Sequence, residues 1–394
     1  MLHRTERTLE NIPVGSLGMI PIDGCQELGG KVNDYLVKWR KEAVAKTKDD
    51  VVFHDYQKET YIIDAKVPRF GSGEAKGIIN ESVRGKDIYL MVDVCNYSLT
   101  YSLSGHTNHM SPDDHFQNLK RVIAAIGGKA RRINVIMPFL YESRQHKRSS
   151  RESLDCALAL QELVRMGVDN IITFDAHDPR VQNAIPLSGF ETVRPTYQFI
   201  KGLLQNVPDL KIDSEHMMAI SPDEGATGRA IYLANVLGLD MGMFYKRRDY
   251  TRIVDGRNPI VAHEFLGSSV EGKDVIIIDD MISSGDSILD VAKQLKARKA
   301  NRIFAAATFG LFTNGMKKFD EAYEQGIIHG ILTTNLIYQT SELLSKPYYI
   351  NCDLSKYIAL IIDTLNHDGS ISSILSPDER IQHVLQKYKN GETI

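Results

Sequence analysis

Asp274-Val-Ile-Ile-Ile-Asp-Asp-Met-Ile-Ser-Ser-Gly-Asp-Ser287, running on into Ile288-Leu-Asp-Val-Ala-Lys-Gln-Leu295, is the stretch whose reading decides the fold. Val275 to Ile278 form an apolar, β-branched run that can be buried on both faces, as an inner parallel strand must be. Ile288, Leu289, Val291, Ala292 and Leu295 then switch to helical spacing. The segment therefore reads as strand, tight loop, helix. Asp279 and Asp280 are expected to end the strand, and Ser283, Ser284, Gly285 and Ser287 bring small side chains, hydroxyls and free amides to a helix N-terminus. Such a turn can cradle a phosphate through its amides and the positive end of the helix. Two adjacent carboxylates can accept hydrogen bonds from vicinal ribose hydroxyls or hold Mg²⁺, so ribose plus phosphate is the implied ligand.

Outward from this stretch, the same alternation repeats. Short strands are predicted at Leu17 to Ile22, Ile88 to Val92, Ile133 to Met137, Asn170 to Phe174, Met217 to Ile220, Gly242 to Tyr245, Ile303 to Thr308 and Gly330 to Thr334. Helical patterns lie at Gln26 to Ala45, Asp113 to Ile126, Leu154 to Met166, Tyr197 to Leu204, Gly225 to Leu237, Met316 to Gln325, Lys356 to Leu365 and Pro377 to Tyr388. A small hairpin is expected from Val51 to Phe53 and Tyr61 to Ile63, and Asn96 to Ser111 reads as polar and irregular. Strands alternating with helices predict an α/β fold of two similar doubly wound parallel-sheet domains, with ligands at the carboxyl ends of strands. The expected division is 1–189, 190–370 and a C-terminal tail, 371–394, packing back on the N-terminal domain.

Composition narrows the class. The 394 residues carry a formal net charge of −3 with 25% charged side chains, so any anion site must be local and no basic surface calls for nucleic acid. No apolar run is long enough for a bilayer, and the charged N-terminus does not resemble a signal peptide, which makes the cytoplasm the expected location and a membrane partner unexpected. Cys25, Cys95, Cys156 and Cys352 lack metal-ligand or disulfide-framework spacing and read as buried thiols.

Several other strand-end loops carry chemistry. Arg144-Gln-His-Lys-Arg148, with Arg151, places four cations within eight residues, suited to a triphosphate. Asp175-Ala-His177 can hold Mg²⁺ directly or through water, or be structural. Asp223, in Ser221-Pro-Asp-Glu-Gly225, can cap a helix or face a metal-bound sugar. Lys246-Arg247-Arg248 opens a long polar loop with Arg252 and Arg257, the kind of segment that brings charge to a transferring phosphoryl group. Each of these loops also has a plainer reading, as a solvated surface or a helix cap.

Taken in order, the loops resemble the ribose-phosphate diphosphokinase (PRPP synthetase) family. Arg69-Phe-Gly-Ser-Gly-Glu74 with Glu81-Ser-Val-Arg-Gly85, Phe139 to Glu152, Asp175 to His177 with Gln182, Ser221 to Asp223, Lys246 to Arg248 and Asp279 to Ser287 all look like its segments. The resemblance implies a phosphoribosyltransferase-type fold and transfer of the diphosphoryl group of MgATP to the 1-hydroxyl of ribose 5-phosphate, giving PRPP and AMP for nucleotide biosynthesis. It implies catalytic Lys246 and Arg248. ATP would be bound by Phe70, Glu74, Arg144 and Gln145, and Mg²⁺ by His177 and Asp223. Asp223, Asp279, Asp280, Ser283, Ser284, Gly285, Asp286 and Ser287 would bind ribose phosphate. A homo-oligomer sharing its adenine site between subunits is also implied.

Three departures stand out. His146 follows Arg-Gln where the family has Asp, losing an acceptor; Ser283 stands where the loop carries a third acid; and Ser72 replaces the Asp or Asn of the adenine turn. They keep two alternatives open: a non-catalytic regulatory paralogue, and a PRPP-consuming phosphoribosyltransferase, which the Asp279 to Ser287 stretch fits equally well.

Overall fold

The computed structural model describes residues 12–46, 55–248 and 260–394, which form two compact units. The first holds β1 (Ser16–Pro21), α1 (Gln26–Lys46), β2 (Ala65–Lys66), β3 (Ile78–Ile79), β4 (Lys86–Met91), β5 (Thr100–Leu103), β6 (His106–His109), α2 (Pro112–Ile126), β7 (Arg132–Ile136), α3 (Asp155–Arg165), β8 (Asn170–Phe174) and β9 (Gly189–Val193). Its main sheet runs β1-β4-β7-β8-β9, all parallel. Ile88, Leu90 and Val92 pack with Phe116, Leu119 and Ile123 of α2 and Leu160 of α3. The intervening residues Tyr89 and Met91 are equally buried, as a strand covered on both faces requires.

The second unit contains α4 (Thr196–Asn206), β10 (Met217–Ser221), α5 (Thr227–Leu237), β11 (Asp240–Arg248), β12 (Ile260–Leu266), β13 (Asp274–Ile282), α6 (Asp286–Ala297), β14 (Ile303–Gly310), α7 (Lys317–Glu324), β15 (Gly330–Thr334), α8 (Ser341–Leu344) and β16 (Tyr349–Cys352). Its sheet runs β12-β11-β10-β13-β14-β15-β16, parallel except for β12. Period two is visible in the core: Val275 and Ile277 join the side covered by Leu289 and Leu295 of α6 and Phe319 of α7. Ile276 and Ile278 join the opposite side, with Phe199 of α4 and Leu233 of α5. That is the doubly wound arrangement expected from the sequence.

The C-terminal region divides differently from the expectation. α9 (Ser355–Asn366) and α10 (Ser372–Leu375) belong to the first unit, as do residues 335–338, while α11 (Asp378–Lys389) belongs to the second. Long-range polar contacts explain the return. Buried Arg40 of α1 donates to Asp363 at 3.4 Å and to Asn366 at 2.7 Å. Arg132 pairs through both nitrogens with Asp87 at 2.8 Å and also reaches the Leu365 carbonyl at 2.7 Å. At the crossing segment, buried Asp93 accepts from the Tyr338 amide at 2.6 Å. The expected tail therefore divides: residues 371–376 stay with the first unit, whereas beyond them Ile381, Val384 and Leu385 enter the second unit's core and Gln382 donates to the Val236 carbonyl. The division after β9 falls at Arg194, five residues beyond the expected boundary.

Three local expectations meet the structure as follows. Tyr61 to Ile63 runs beside β1 through one parallel bridge, and the other half of the expected hairpin, Val51 to Phe53, lies outside the described residues. The stretch expected to be irregular contains the β5–β6 hairpin, closed by Ser104 and Gly105 at φ +50° and +83°. Part of the expected Lys246 to Ala262 loop is strand, because β11 continues to Arg248 and pairs with β12.

Candidate functional site

The second unit's site follows from strand order. The strand after β10 lies on one side of it, while β13 and its successors lie on the other, which makes the carboxyl ends of β10 and β13 a switch point where open α/β sheets bind ligands. Register then sets the heights: Ile220 pairs with Ile277, so Asp223 and Asp280 each lie three residues past a matched pair. Asp279 and Asp280 sit inside β13, which runs to Ile282, rather than ending it.

Asp223 accepts from the amides of Gly225 at 2.9 Å and Ala226 at 3.3 Å, tying the start of α5 to the end of β10. Asp279 accepts the Asp280 amide at 2.8 Å. Burial, then the adjacent charge of Asp280, then the more remote Asp223 push the Asp279 carboxyl well above the ordinary carboxylate range. Arg229, in the first turn of α5, lies 3.8 Å from Asp280 and partly offsets this concentration of negative charge. Sequence reasoning missed Arg229, since nothing local links it to an acid fifty-one positions away.

Past β13 the loop is fixed from below. The Ile282 carbonyl accepts from the amides of Leu311 and Phe312, and the Ser283 carbonyl from Thr313. Gly285 takes φ +86°, and a Cβ there would stand 2.1 Å from the buried Phe319 ring, so only glycine fits the backbone and the space together. Ser284 Oγ donates to Asp286 at 2.9 Å, and Lys318 donates to the other Asp286 oxygen at 2.6 Å. Ser287 follows in the first turn of α6. Lys246 and Arg248 lie in β11, opposite His263 and Ile260, with an irregularity in register between Arg247 and Arg248. Their side chains, like Arg252 and Arg257 as a whole, fall outside the described residues.

In the first unit, adjacent β7 and β8 bring two predicted loops together. The loop after β7 is pinned by the Pro138 carbonyl, which accepts from the Phe174 amide and from Thr173 Oγ1, both at 3.0 Å. Arg144 is exposed, whereas Gln145 uses its side chain to hold the loop, donating to the Ser153 carbonyl at 2.8 Å. His146 lies with its ring 5.3 Å from that of His177 and its Nε2 3.5 Å from Asp178; its buried Nδ1 has no hydrogen-bond partner. Asp178 was not singled out from the sequence. The hydrogen-bonded Arg180 holds its carboxyl down at about 2, so it stays a carboxylate. Asp175, at the end of β8, adopts a left-handed φ of +41°, a sparsely populated conformation for a non-glycine residue.

The Arg69 to Glu74 turn is closed by bonds from the Phe70 amide to the Glu74 carbonyl and from the Gly73 amide to the Phe70 carbonyl. Phe70 is 55% exposed, and the Glu74 carboxylate accepts from Ser72, the residue that replaces an acid or amide. The β5–β6 hairpin braces this turn: Arg69 lies 4.1 Å over the Tyr101 ring and 3.1 Å from Asp114, and Ser104 donates to the Gly71 carbonyl. Among the described residues no helix is long and apolar enough to cross a membrane, and no group of three or more His, Cys, Asp or Glu side chains is arranged to hold a metal by itself.

Comparison with known proteins agrees with this geometry. Residues 18–167 match the model for the N-terminal domain of ribose phosphate pyrophosphokinase, and residues 257–376 match the phosphoribosyl synthetase-associated domain; together they span more than half of the chain. The ribose-phosphate pyrophosphokinase of Vibrio parahaemolyticus is 29% identical over 318 residues, 79% of this chain and 91% of that protein. That of Mycoplasma genitalium is 26% identical over 308 residues, 77% and 84% of the two chains. A crystal structure of phosphoribosylpyrophosphate synthetase from Mycobacterium smegmatis shares the fold, with a TM-score of 0.70 at 20% identity over 90% of this chain and all of that one.

Proposed function

The chain belongs to the ribose-phosphate pyrophosphokinase family, and we infer that it transfers the diphosphoryl group of ATP to the 1-hydroxyl of ribose 5-phosphate. The ribose oxygen attacks the β-phosphorus, the bond from that phosphorus to the α,β-bridging oxygen breaks, AMP leaves with the bridging oxygen, and the hydroxyl proton passes to water. The observation that carries the reading is the convergence of three acids at the β10–β13 switch point: Asp223 just past β10, near enough for its charge to raise the Asp279 carboxyl, and Asp279 with Asp280 in the neighbouring β13, directly before the Ser283 to Ser287 turn.

Each residue's part follows from its chemistry. Asp279 and Asp280 accept hydrogen bonds from the ribose hydroxyls. Ser284, Gly285 and Ser287, at the start of α6, receive the 5-phosphate, helped by the helix N-terminus. Arg144 neutralises ATP phosphates while Gln145 holds its loop in shape, and Phe70 with Glu74 frames the adenine. Lys246 and Arg248 stabilise charge developing on the transferred group. The half-exposed Phe70 ring supports an adenine site shared with a neighbouring subunit in a homo-oligomer. A cytoplasmic location belongs to the same proposal.

Mg²⁺ fits the donor set. It is held by one or two carboxylates plus substrate phosphates rather than by a closed protein cage, and the crowded carboxylates of Asp223, Asp279 and Asp280 offer that arrangement without a three-residue cage of their own. His177 is the corresponding candidate in the first unit. When bound, the ion neutralises phosphate charge and helps align ATP with the sugar hydroxyl.

The test is direct. Protein incubated with MgATP and ribose 5-phosphate should yield AMP and PRPP in equal amounts, and Lys246→Ala should lower kcat by about 100-fold or more, in line with loss of one transition-state contact, with an unchanged melting temperature. No AMP under any metal or phosphate condition would sink the enzymatic reading in favour of a regulatory paralogue, the alternative suggested by His146 and Ser283. Consumption of PRPP with a nucleobase would point instead to a phosphoribosyltransferase.

A further inference from the structure

The ribose-phosphate loop contains an anomaly: a carboxylate, Asp286, inside a turn read as a cradle for a phosphate dianion. Left alone, that charge would repel the ligand. Both of its oxygens are occupied, one by Ser284 Oγ at 2.9 Å and the other by Lys318 Nζ at 2.6 Å from α7. The same helix supplies Phe319, which packs against Gly285, so α7 sets both the shape and the charge of the loop. Asp286 and Lys318 also border a cavity of about 270 Å³ between α6 and α7, together with Asp290, Lys293 and Glu321.

We propose that Lys318 is a positioning and specificity-determining residue for ribose 5-phosphate: it neutralises Asp286 and draws it towards the α6–α7 groove, so that a phosphate meets a turn without net negative charge. The inference rests on the reading of Ser284 to Ser287 as the phosphate loop. Ser284 is the point of exchange. Its hydroxyl serves Asp286 in the ligand-free protein and turns to the phosphate on binding, which Asp286 tolerates because Lys318 still satisfies it. An exposed ion pair contributes little to stability, so the effect belongs in binding rather than in folding.

The experiment measures steady-state constants for both substrates, and the dissociation constant of ribose 5-phosphate by calorimetry, on full-length variants. A unit charge acting on a dianion across a few ångströms of partly hydrated surface is expected to change affinity by about five- to tenfold. Lys318→Met should therefore raise the KM and dissociation constant for ribose 5-phosphate by that factor, leaving kcat, the KM for ATP and the melting temperature nearly unchanged. Lys318→Arg should retain wild-type values, and Asp286→Asn with Lys318→Met should return them to within about twofold, because both charges are gone. If Lys318→Met binds as wild type, or if the double variant binds as poorly as Lys318→Met, the proposal is wrong. Ser287→Ala separates the two levels of inference: a raised ribose 5-phosphate KM there with a silent Lys318→Met removes Lys318 alone, whereas no effect of Ser287→Ala removes the phosphate-loop reading and this proposal with it.

Discussion

Replacing Gly285 with alanine tests whether the loop is built on glycine for physical reasons. Two costs add. The backbone sits at φ +86°, where an L side chain costs about 1–2 kcal/mol. The new Cβ would also lie 2.1 Å from one atom of the Phe319 ring and 2.6 Å from another, and that ring is fully buried, so it cannot swing into solvent. Forcing an extra carbon into such packing costs about 1–3 kcal/mol. Gly285→Ala should therefore destabilise the second unit by about 2–5 kcal/mol, a fall of roughly 4–20 °C in its melting temperature. Urea and thermal unfolding measure the stability, and the KM for ribose 5-phosphate, raised with that for ATP unchanged, reports the displaced loop. Combining Gly285→Ala with Phe319→Leu divides the two costs, because relief of the clash makes the pair less damaging than the sum of the single changes. Wild-type stability in Gly285→Ala, or strict additivity with Phe319→Leu, would refute the reasoning.

The acidic pair and the buried acid of the first unit give two further tests. Asp279→Asn should raise the melting temperature of the ligand-free protein while removing activity, since burial and the neighbouring Asp280 charge already disfavour the Asp279 carboxylate; a lower melting temperature would contradict that origin. Burial pushes Asp93 up to about 7, against its amide donors Cys95 and Tyr338. The folded state thus keeps a proton that the unfolded state has lost between pH 3.8 and about 7, so Asp93 contributes stability fully present below pH 3.8 and lost as pH rises through 7, on the order of 4 kcal/mol. Chemical denaturation from pH 4 to 8 should show this fall in wild type and a flatter profile in Asp93→Asn, even though the asparagine variant loses one acceptor; parallel profiles would rule it out.

Much of the fold was legible because its causes are local. Val275 to Ile278 announce a strand buried on both faces, and the structure divides them alternately between two core layers. The hairpin of β5 and β6 also has a local cause: Ser104-Gly105 is a two-residue turn signal, and both residues take positive φ. The C-terminal division was of another kind. Arg40 with Asp363 and Arg132 with Asp87 and Leu365 decide which unit α9 joins, and those partners lie tens to hundreds of positions apart. No period or turn encodes such a pairing.

The site divides along the same line. That Asp223 follows a strand could be read from the sequence, although Asp279 and Asp280 lie inside β13 rather than at its end; that the two strands are neighbours, with Ile220 matched to Ile277, could not, because β10 pairs with β13 across more than fifty residues. Two residues make the point more sharply. Read along the chain, His146 stands where the resemblance expects a carboxylate and Asp286 places one inside a loop read as a phosphate cradle, and each looks like damage. In the fold, His146 meets Asp178, which restores a carboxylate beside the same loop, and Asp286 meets Lys318, which cancels the one it adds. Both compensations come from elements distant in sequence and adjacent in space, so the unusual residues in these loops are better understood as halves of pairs than as losses. This predicts that exchanging either residue alone, His146→Asp or Asp286→Asn, perturbs the site more than exchanging it together with its partner.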